Sequence, residues 1–227
     1  MHNWQRFTDR AVLDTALAQA ICKRLSEDIE AHGHASLAVS GGSTPRALFR
    51  QLSHTPLAWD KVTLCLVDER WVATDSPDSN EKLVRDQLLQ DKAAAARFIG
   101  MKTADITATA GIPDVIQRME TVPLPFSMVV LGMGGDGHTA SWFPQAINLD
   151  ALLAPDNTAL VAATEPVSAP HSRVTLTLAA VMRSRAIAIH ITGDDKLAVL
   201  DSAIDNDLPV GAILSQHTSP VTIWWAP

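Results

Sequence analysis

Residues 127–144 read Ser-Met-Val-Val-Leu-Gly-Met-Gly-Gly-Asp-Gly-His-Thr-Ala-Ser-Trp-Phe-Pro, an apolar run that leads into a glycine-rich polar loop. Residues 127–131 include four consecutive apolar residues, which predicts a buried strand of a parallel sheet. The next six residues contain four glycines, which allow positive φ angles and a close approach of the backbone to a ligand. Polar groups are supplied by Asp136, His138, Thr139 and Ser141. The stretch therefore has the composition of a binding or catalytic site.

Residues 139–143, directly after this loop, are expected to form a short helix that ends at Pro144. Such a helix would direct its free N–H groups toward whatever the loop binds. A tight turn with a structural histidine is the alternative interpretation. The four glycines around the Asp-Gly-His sequence favour a functional loop over that alternative.

The 227 residues are expected to form a single domain that spans the whole chain, 1–227. With 47% hydrophobic and 19% charged residues, the composition is typical of a soluble globular protein. The net charge of −7 argues against a nucleic-acid or anionic-membrane partner, and no apolar run is long enough to cross a bilayer. The first ten residues lack the apolar segment of a secretory signal, so we expect a cytoplasmic protein.

The cysteines and histidines do not indicate a metal site. Cys22 and Cys65 lie among apolar neighbours in a helical and a strand pattern, which predicts two buried thiols rather than a disulfide or a metal pair. His32 and His34 flank the predicted end of a helix and are expected to be solvated. We therefore predict that the protein uses no metal and no cofactor held by such ligands.

A second loop, Ser-Gly-Gly-Ser-Thr-Pro at residues 40–45, follows an amphipathic helix at residues 11–31 and a short strand at residues 37–40. A helix is predicted to begin after it, with Thr44 as N-cap and Pro45 in its first turn. The loop thus offers N–H groups and hydroxyls at a helix N-terminus, which suits a phosphate. An ordinary capped turn is the alternative.

The predicted strand at residues 62–67 ends in the charged sequence Asp-Glu-Arg. Ligands of open α/β sheets bind at the carboxyl ends of the strands, so Asp68 and Arg70 are expected to face the site. Glu69 is expected to lie in a solvated loop. A helix at residues 80–89, capped by Ser79, follows.

Strands are also predicted at residues 173–178, 186–191 and 221–225. Lys196 follows the second of these and lies in the first turn of a predicted helix, where a cation is unfavourable unless an anion is near. Lys196 therefore indicates a phosphate site, with a surface lysine as the alternative. The alternation of strands and helices predicts an α/β fold, a doubly wound, mostly parallel sheet flanked by helices, with its polar loops at one edge.

Five motifs together resemble the 6-phosphogluconolactonase family, in its order and approximate spacing over nearly the whole chain. They are residues 40–45, residues 67–72 (Val-Asp-Glu-Arg-Trp-Val) with Ser79-Asn80, residues 131–144, residues 173–177 (Arg-Val-Thr-Leu-Thr) and residues 192–196 (Thr-Gly-Asp-Asp-Lys). The resemblance implies a fold similar to glucosamine-6-phosphate deaminase. It also implies a cytosolic enzyme of the oxidative pentose phosphate pathway, which hydrolyses 6-phospho-D-glucono-1,5-lactone to 6-phosphogluconate without metal or organic cofactor.

The same resemblance implies roles for individual residues. His138 is the expected general base, and the catalytic set is His138, Asp68 and Asp136. Residues 41–44, Arg173 and Lys196 are expected to hold the phosphate, and Asp68 and Arg70 to line the sugar or orient the base. The complete predicted substrate-binding set is Gly41, Gly42, Ser43, Thr44, Arg70, Gly137, Arg173 and Lys196.

One departure from the family pattern concerns a lysine. The family often has Lys-Pro-Pro just before the Arg-Val-Thr strand, whereas residues 167–172 here read Val-Ser-Ala-Pro-His-Ser. Whether His171 replaces that lysine is open at this point.

Lactone hydrolysis fits these residue types for chemical reasons. A lactone carbonyl is an activated ester, so catalysis needs an oriented water, a base that titrates near neutrality and donors for the developing oxyanion. Histidine suits the base, and the N–H groups of the loop beside His138 are the expected donors.

Three other functions compete with this interpretation. An amino-sugar-phosphate deaminase or isomerase tends to have Ala-Phe-Asn-Glu-Pro after Asp-Gly-His, whereas residues 140–144 here contain no carboxylate. A sugar-phosphate-sensing domain would keep the phosphate loop without needing the base. A serine hydrolase is disfavoured because the chain lacks a Gly-x-Ser-x-Gly motif.

Overall fold

The computed structural model describes residues 3–227, which contain ten strands and eight α-helices. The strands are β1 (Asn3–Arg6), β2 (Ala35–Val39), β3 (Val62–Leu66), β4 (Asp68–Arg70), β5 (Arg97–Ile99), β6 (Met128–Leu131), β7 (Val161–Thr164), β8 (Arg173–Leu176), β9 (Ile187–Thr192) and β10 (Val221–Ala226). The helices are α1 (Arg10–His32), α2 (Arg46–His54), α3 (Asn80–Gln87), α4 (Ala108–Met119), α5 (Leu149–Leu153), α6 (Leu178–Val181), α7 (Asp194–Asp201) and α8 (Pro209–Ser215).

Seven strands form one sheet in the order β1-β10-β9-β6-β2-β3-β5, and every neighbouring pair is parallel. Strands β2, β3, β6 and β9 are buried along their whole length, which is typical of a parallel sheet covered on both faces. The predicted doubly wound α/β fold is therefore confirmed. The edge strand β1 was not predicted, because none of its four residues is buried and no apolar pattern distinguishes it.

Local capping chemistry sets several helix ends. The side chain of Asp9 accepts a hydrogen bond from the main chain at the start of α1, and Gly33, with φ of 79°, ends that helix as predicted. Ser79 caps α3, which is also as predicted. The prediction that Thr44 caps α2 is wrong, because Pro45 already has helical angles at the cap position and no side chain within residues 3–227 caps this end.

A second, antiparallel sheet, in the order β4-β8-β7, was not predicted. Only Val67 separates β3 from β4; its N–H donates to Val39 of the large sheet, and its carbonyl accepts from Leu176 of β8. The chain therefore passes from one sheet to the other at the carboxyl end of β3. As a result, Asp68 and Arg70 lie on a paired strand beside this edge.

The prediction for Glu69 is wrong, because this residue is fully buried rather than solvated. Its carboxylate accepts four hydrogen bonds, from the main-chain N–H groups of Arg70, Asn80 and Glu81 and from the Ser79 hydroxyl. Burial raises the pKa of Glu69, and these hydrogen bonds counteract the rise. The contacts attach the N-terminus of α3 to β4.

We expect Glu69→Gln to lower the free energy of unfolding by about 1 to 3 kcal/mol, because the amide nitrogen would face N–H donors that need an acceptor. Urea denaturation measures this change. Glu120→Gln, at an exposed glutamate after α4, is the control and should change stability by less than about 0.5 kcal/mol. Equal effects of the two substitutions would contradict the role given to Glu69.

Residues 139–143 form a turn, so the prediction of a short helix there is wrong. Ala140 has φ of 49°, in the left-handed region that a helix excludes. The Ser141 hydroxyl donates to Asp68, and the Trp142 indole donates to the carbonyl of the last residue of β8. These contacts with distant residues fix a conformation that local helix propensity does not favour.

Candidate active site

An open cavity lies at the carboxyl ends of β2, β6 and β9, with β4 and β8 at its side. Most of the predicted site residues line it, and those that do are Gly41, Gly42, Ser43, Thr44, Asp68, Arg70, His138, Arg173 and Lys196. Asp136 and Gly137 are not part of the lining. The fold thus brings together residues that are far apart in the sequence.

Asp136 contacts His138 instead of the cavity. Its Oδ1 lies 2.5 Å from Nδ1 of His138 and accepts the main-chain N–H of the same residue at 3.2 Å. Because a carboxylate only accepts hydrogen bonds, we assign the proton of the imidazole to Nδ1 and leave Nε2 as the basic nitrogen. This arrangement can act as a general base whose ring is oriented by a neighbouring acid.

Packing also holds the ring of His138. It stacks on Phe143, with ring centroids 4.4 Å apart and planes inclined by 28°. A Cβ atom on Gly134 would overlap the imidazole, so only glycine allows this approach. Phe143 is buried, and its ring centroid lies 6.0 Å from Cζ of Arg173. Phe143 therefore lies between the candidate base and a candidate anion-binding residue, a role that the sequence analysis missed.

Gly137 serves the backbone of the loop. It has φ of 78°, and a Cβ atom there would lie 2.7 Å from Cδ1 of Leu208. Its carbonyl accepts the N–H of Val210 at the start of α8. Both the backbone angle and the packing require glycine, independently of any substrate.

Several N–H groups of the loop are already engaged within the protein. Gly132 donates to the Ser40 hydroxyl, Gly134 donates to the carbonyl of His138, and Gly137 donates to the carbonyl of Gly134. The main-chain N–H of His138 donates to the carboxylate of Asp136. These four groups are not free to bind an oxyanion, so that expectation is wrong for these positions.

Arg70 and Arg173 are direct neighbours across β4 and β8. Arg173 is 4% exposed, and its Nε and Nη1, like Nε of Arg70, make no hydrogen bond within residues 3–227. Burial lowers the pKa of Arg173, and the charge of Arg70 lowers it further, while Asp68, Glu69 and Asp78 oppose these effects. Two adjacent cations with unpartnered donors form an arrangement that an anion would complete.

Asp68 is buried beside these arginines. Its Oδ2 accepts the Ser141 hydroxyl at 2.6 Å, and the Asn80 amide donates to its carbonyl at 2.9 Å. Asn80 also lines the cavity, although the sequence analysis gave it no role. A Cβ atom on Gly41 would overlap the Asn80 amide, so this loop position requires glycine.

Lys196 lies in the first turn of α7 as predicted, and its Nζ donates to the carbonyl of Met133 at 2.5 Å. The lysine therefore joins α7 to the loop that carries His138. His190 of β9 also lines the cavity. It was missed because a single histidine in an apolar strand pattern gives no signal of a site.

His171 does not line the cavity. It has φ of 69°, and its Nε2 lies 3.2 Å from Oδ2 of Asp78. The carbonyl of Asp78 accepts from Nη1 of Arg70 at 2.7 Å. His171 thus contacts the segment that holds Arg70, which is a different position from a direct substrate contact.

Within residues 3–227, no group of three or more His, Cys, Asp or Glu side chains is placed to hold a metal ion. In the same part of the chain, no helix has both the length and the apolar character needed to cross a membrane. Cys22 and Cys65 are free, buried thiols as predicted, and burial raises the pKa of Cys22 to about 11.

The chain is similar to known proteins over nearly its whole length. A family model described as glucosamine-6-phosphate isomerases/6-phosphogluconolactonase matches residues 8–224. A 6-phosphogluconolactonase of Mesorhizobium japonicum is 44% identical, over 100% of this chain and 96% of that protein. The crystal structure of a 6-phosphogluconolactonase from Shewanella baltica has a TM-score of 0.97 at 42% identity, covering 100% of this chain and 98% of that one.

A monomeric glucosamine-6-phosphate deaminase, 17% identical, has a TM-score of 0.80 over 99% of this chain and 97% of that one. At this identity the likeness concerns the fold alone, and it confirms the predicted similarity to that enzyme's architecture. The family model and the relatives above 40% identity each cover nearly the whole chain. The chain therefore belongs to the glucosamine-6-phosphate isomerase/6-phosphogluconolactonase family.

Proposed function

We propose that this protein hydrolyses 6-phospho-D-glucono-1,5-lactone to 6-phosphogluconate, with His138 as general base. The observation that carries the proposal is the pairing of His138 with Asp136 beside a cavity that also contains the buried Arg173 and the half-buried Arg70, both with unpartnered donors. The names of the relatives agree with this reaction. The place in the oxidative pentose phosphate pathway follows from the reaction and is part of the proposal.

In the proposed mechanism, Nε2 of His138 removes a proton from a water molecule as the water oxygen attacks the lactone carbonyl carbon. Asp136 stabilises the imidazolium that forms and keeps the ring in position. When the bond between the carbonyl carbon and the ring oxygen breaks, the imidazolium returns its proton to that oxygen. The guanidinium group of Arg70 favours the negative charge that develops on the carbonyl oxygen.

The phosphate of the substrate is proposed to lie on residues 41–44 with Arg173 and Lys196. This assignment is supported by the unpartnered donors of Arg173 and by the first-turn position of Lys196, since both residues line the cavity. Binding of the remote phosphate would fix the lactone over His138. Asp68 and Arg70 are proposed to line the sugar.

The rival reaction, deamination of an amino sugar phosphate, makes a different demand on residues 140–144. Ser141 in this segment is buried and donates to Asp68, and the segment contains no carboxylate for ring opening. The two reactions are separated by parallel assays for acid release from the phosphorylated lactone and ammonia release from glucosamine 6-phosphate. We expect acid release alone; ammonia release without lactone hydrolysis would overturn the proposal.

We expect Asp136→Asn to lower kcat about tenfold, because the imidazole would lose its carboxylate partner. The effect should be smaller than that of removing the base, since the side chain of Asp136 is 41% exposed and water can partly replace it. Steady-state kinetics, with thermal unfolding to confirm the fold, measure the change. An unchanged kcat would mean that Asp136 does not orient His138.

We also expect activity to persist after exhaustive treatment with a chelator. The proposed base is a histidine paired with a carboxylate, and activation of the water needs no metal in this mechanism. The measurement compares kcat before and after incubation with EDTA, and a chelator-treated sample supplied with Mg²⁺ or Zn²⁺ is the control. Loss of activity that one particular metal restores would contradict this expectation.

A further inference from the structure

A buried histidine and aspartate meet at the cavity wall, and the mechanism above uses neither of them. His190 of β9 is 3% exposed and lines the cavity, and Asp14 of α1 is 4% exposed. Nε2 of His190 lies 3.1 Å from Oδ1 of Asp14, within ion-pair distance, and neither atom makes a hydrogen bond within residues 3–227. The pair therefore connects helix α1 to the wall of the cavity.

The environment of Asp14 calls for a positively charged partner. A buried carboxylate is costly unless it is paired, and His190 is its ion-pair partner among the described residues. The other buried aspartate of α1, Asp28, is paired with Arg185 instead. The same helix thus carries two buried carboxylates, one paired with a permanent cation and one with an imidazole at the cavity.

We propose that His190 is a further phosphate-binding residue of this site and that Asp14 fixes its ring. The proposal rests on the proposed function, because the phosphate belongs to the proposed substrate. His190 and Lys196 come from the same β9–α7 unit and line the same cavity, so they approach the ligand from one side. Since Nε2 lies beside Asp14, Nδ1 is the ring nitrogen that remains for the phosphate.

Charged side chains surround the ring of His190 and favour an anion in the cavity. Lys196 of α7 and the two arginines of β4 and β8 line the same cavity as His190, and Asp14 lies at ion-pair distance from its ring. A phosphate dianion bound in the cavity would be attracted by these cations. In the proposed complex, Nδ1 of His190 donates to a phosphate oxygen, and Asp14 remains the ion-pair partner of the ring.

The first test is a calorimetric titration of the free protein with inorganic phosphate. We expect His190→Gln to weaken phosphate binding about tenfold or more, the effect of losing one charge-assisted hydrogen bond. Asp14→Asn should weaken it in the same direction by a smaller factor. Asp28→Asn, which removes a buried carboxylate from the other end of the same helix, is the matched control and should leave the affinity unchanged. Unchanged affinity in His190→Gln overturns the proposal.

The second test compares kcat/KM for the phosphorylated lactone and for unphosphorylated gluconolactone. His190→Gln should reduce the preference for the phosphorylated substrate about tenfold, whereas equal losses on both lactones would show a structural role and overturn the proposal. Should the variant not fold, the ¹⁵N signals of the His190 ring in wild-type protein replace it; they must move on addition of phosphate. Wild-type protein without lactonase activity would refute the proposed function, while the phosphate titration would still test His190.

Discussion

Replacement of His138 by alanine is expected to lower kcat by about two to four orders of magnitude, the range for loss of a general base. The size of the effect follows from the geometry. Nδ1 is engaged by Asp136, one face of the ring is stacked on Phe143, and Gly134 leaves room for the ring on another side. No solvent molecule would occupy the position of the imidazole with the same orientation. The remaining rate would therefore come from substrate binding and from the positive charges that line the cavity.

The loss should concern kcat rather than folding, because the His138 side chain is 30% exposed and contributes little to the core. His54→Ala is the control, since this histidine is 69% exposed on α2 and lies at ion-pair distance from Asp91 on the surface. It should have wild-type kinetics and stability. A folded His138→Ala protein with near wild-type kcat would exclude the proposed base.

Replacement of Arg173 by alanine is expected to lower kcat/KM for the phosphorylated lactone about ten- to a hundredfold. A charge-assisted hydrogen bond to phosphate contributes about 1.5 to 3 kcal/mol, which gives this range. The loss on unphosphorylated gluconolactone should be much smaller, so the preference for the phosphorylated substrate should fall. Lys196→Ala should reduce the preference in the same way, by a smaller factor, because its ammonium also binds the carbonyl of Met133.

Arg185→Ala provides the matched control for the arginine. Arg185 makes an ion pair with Asp28 at the opposite end of the parallel sheet from the cavity, and its removal should not change the ratio of the two kcat/KM values. The measurement is that ratio in wild-type protein and in the three variants. An identical ratio in wild type, Arg173→Ala and Lys196→Ala would show that these residues do not bind phosphate.

Patterns that depend on neighbouring residues were predicted well from the sequence. The three- and four-residue apolar spacing of residues 11–31 predicts α1, and Gly33 ends it, because helix periodicity and capping are both local properties. The same holds for Ser79 at the start of α3. The placement of the site followed from a general rule, that loops at the carboxyl ends of parallel strands meet at one edge.

Features that depend on distant pairing were not predicted. In the antiparallel sheet, Asp68 pairs with Thr175 and Arg70 pairs with Arg173. No local sequence pattern predicts pairing between residues about a hundred positions apart. Glu69 was assigned to a solvated loop because its four hydrogen-bond donors belong mostly to another element, α3. The turn at residues 139–143 replaced the expected helix for the same reason.

The central claim concerns a single reaction, and one assay tests it most directly. The phosphorylated lactone is generated immediately before use, and its disappearance is followed at several protein concentrations, with the spontaneous hydrolysis in buffer subtracted. The account predicts a rate proportional to wild-type protein, one acid equivalent released per lactone consumed, and a rate with His138→Ala close to that of buffer. A wild-type rate equal to the spontaneous rate, or equal to that of His138→Ala, would contradict it.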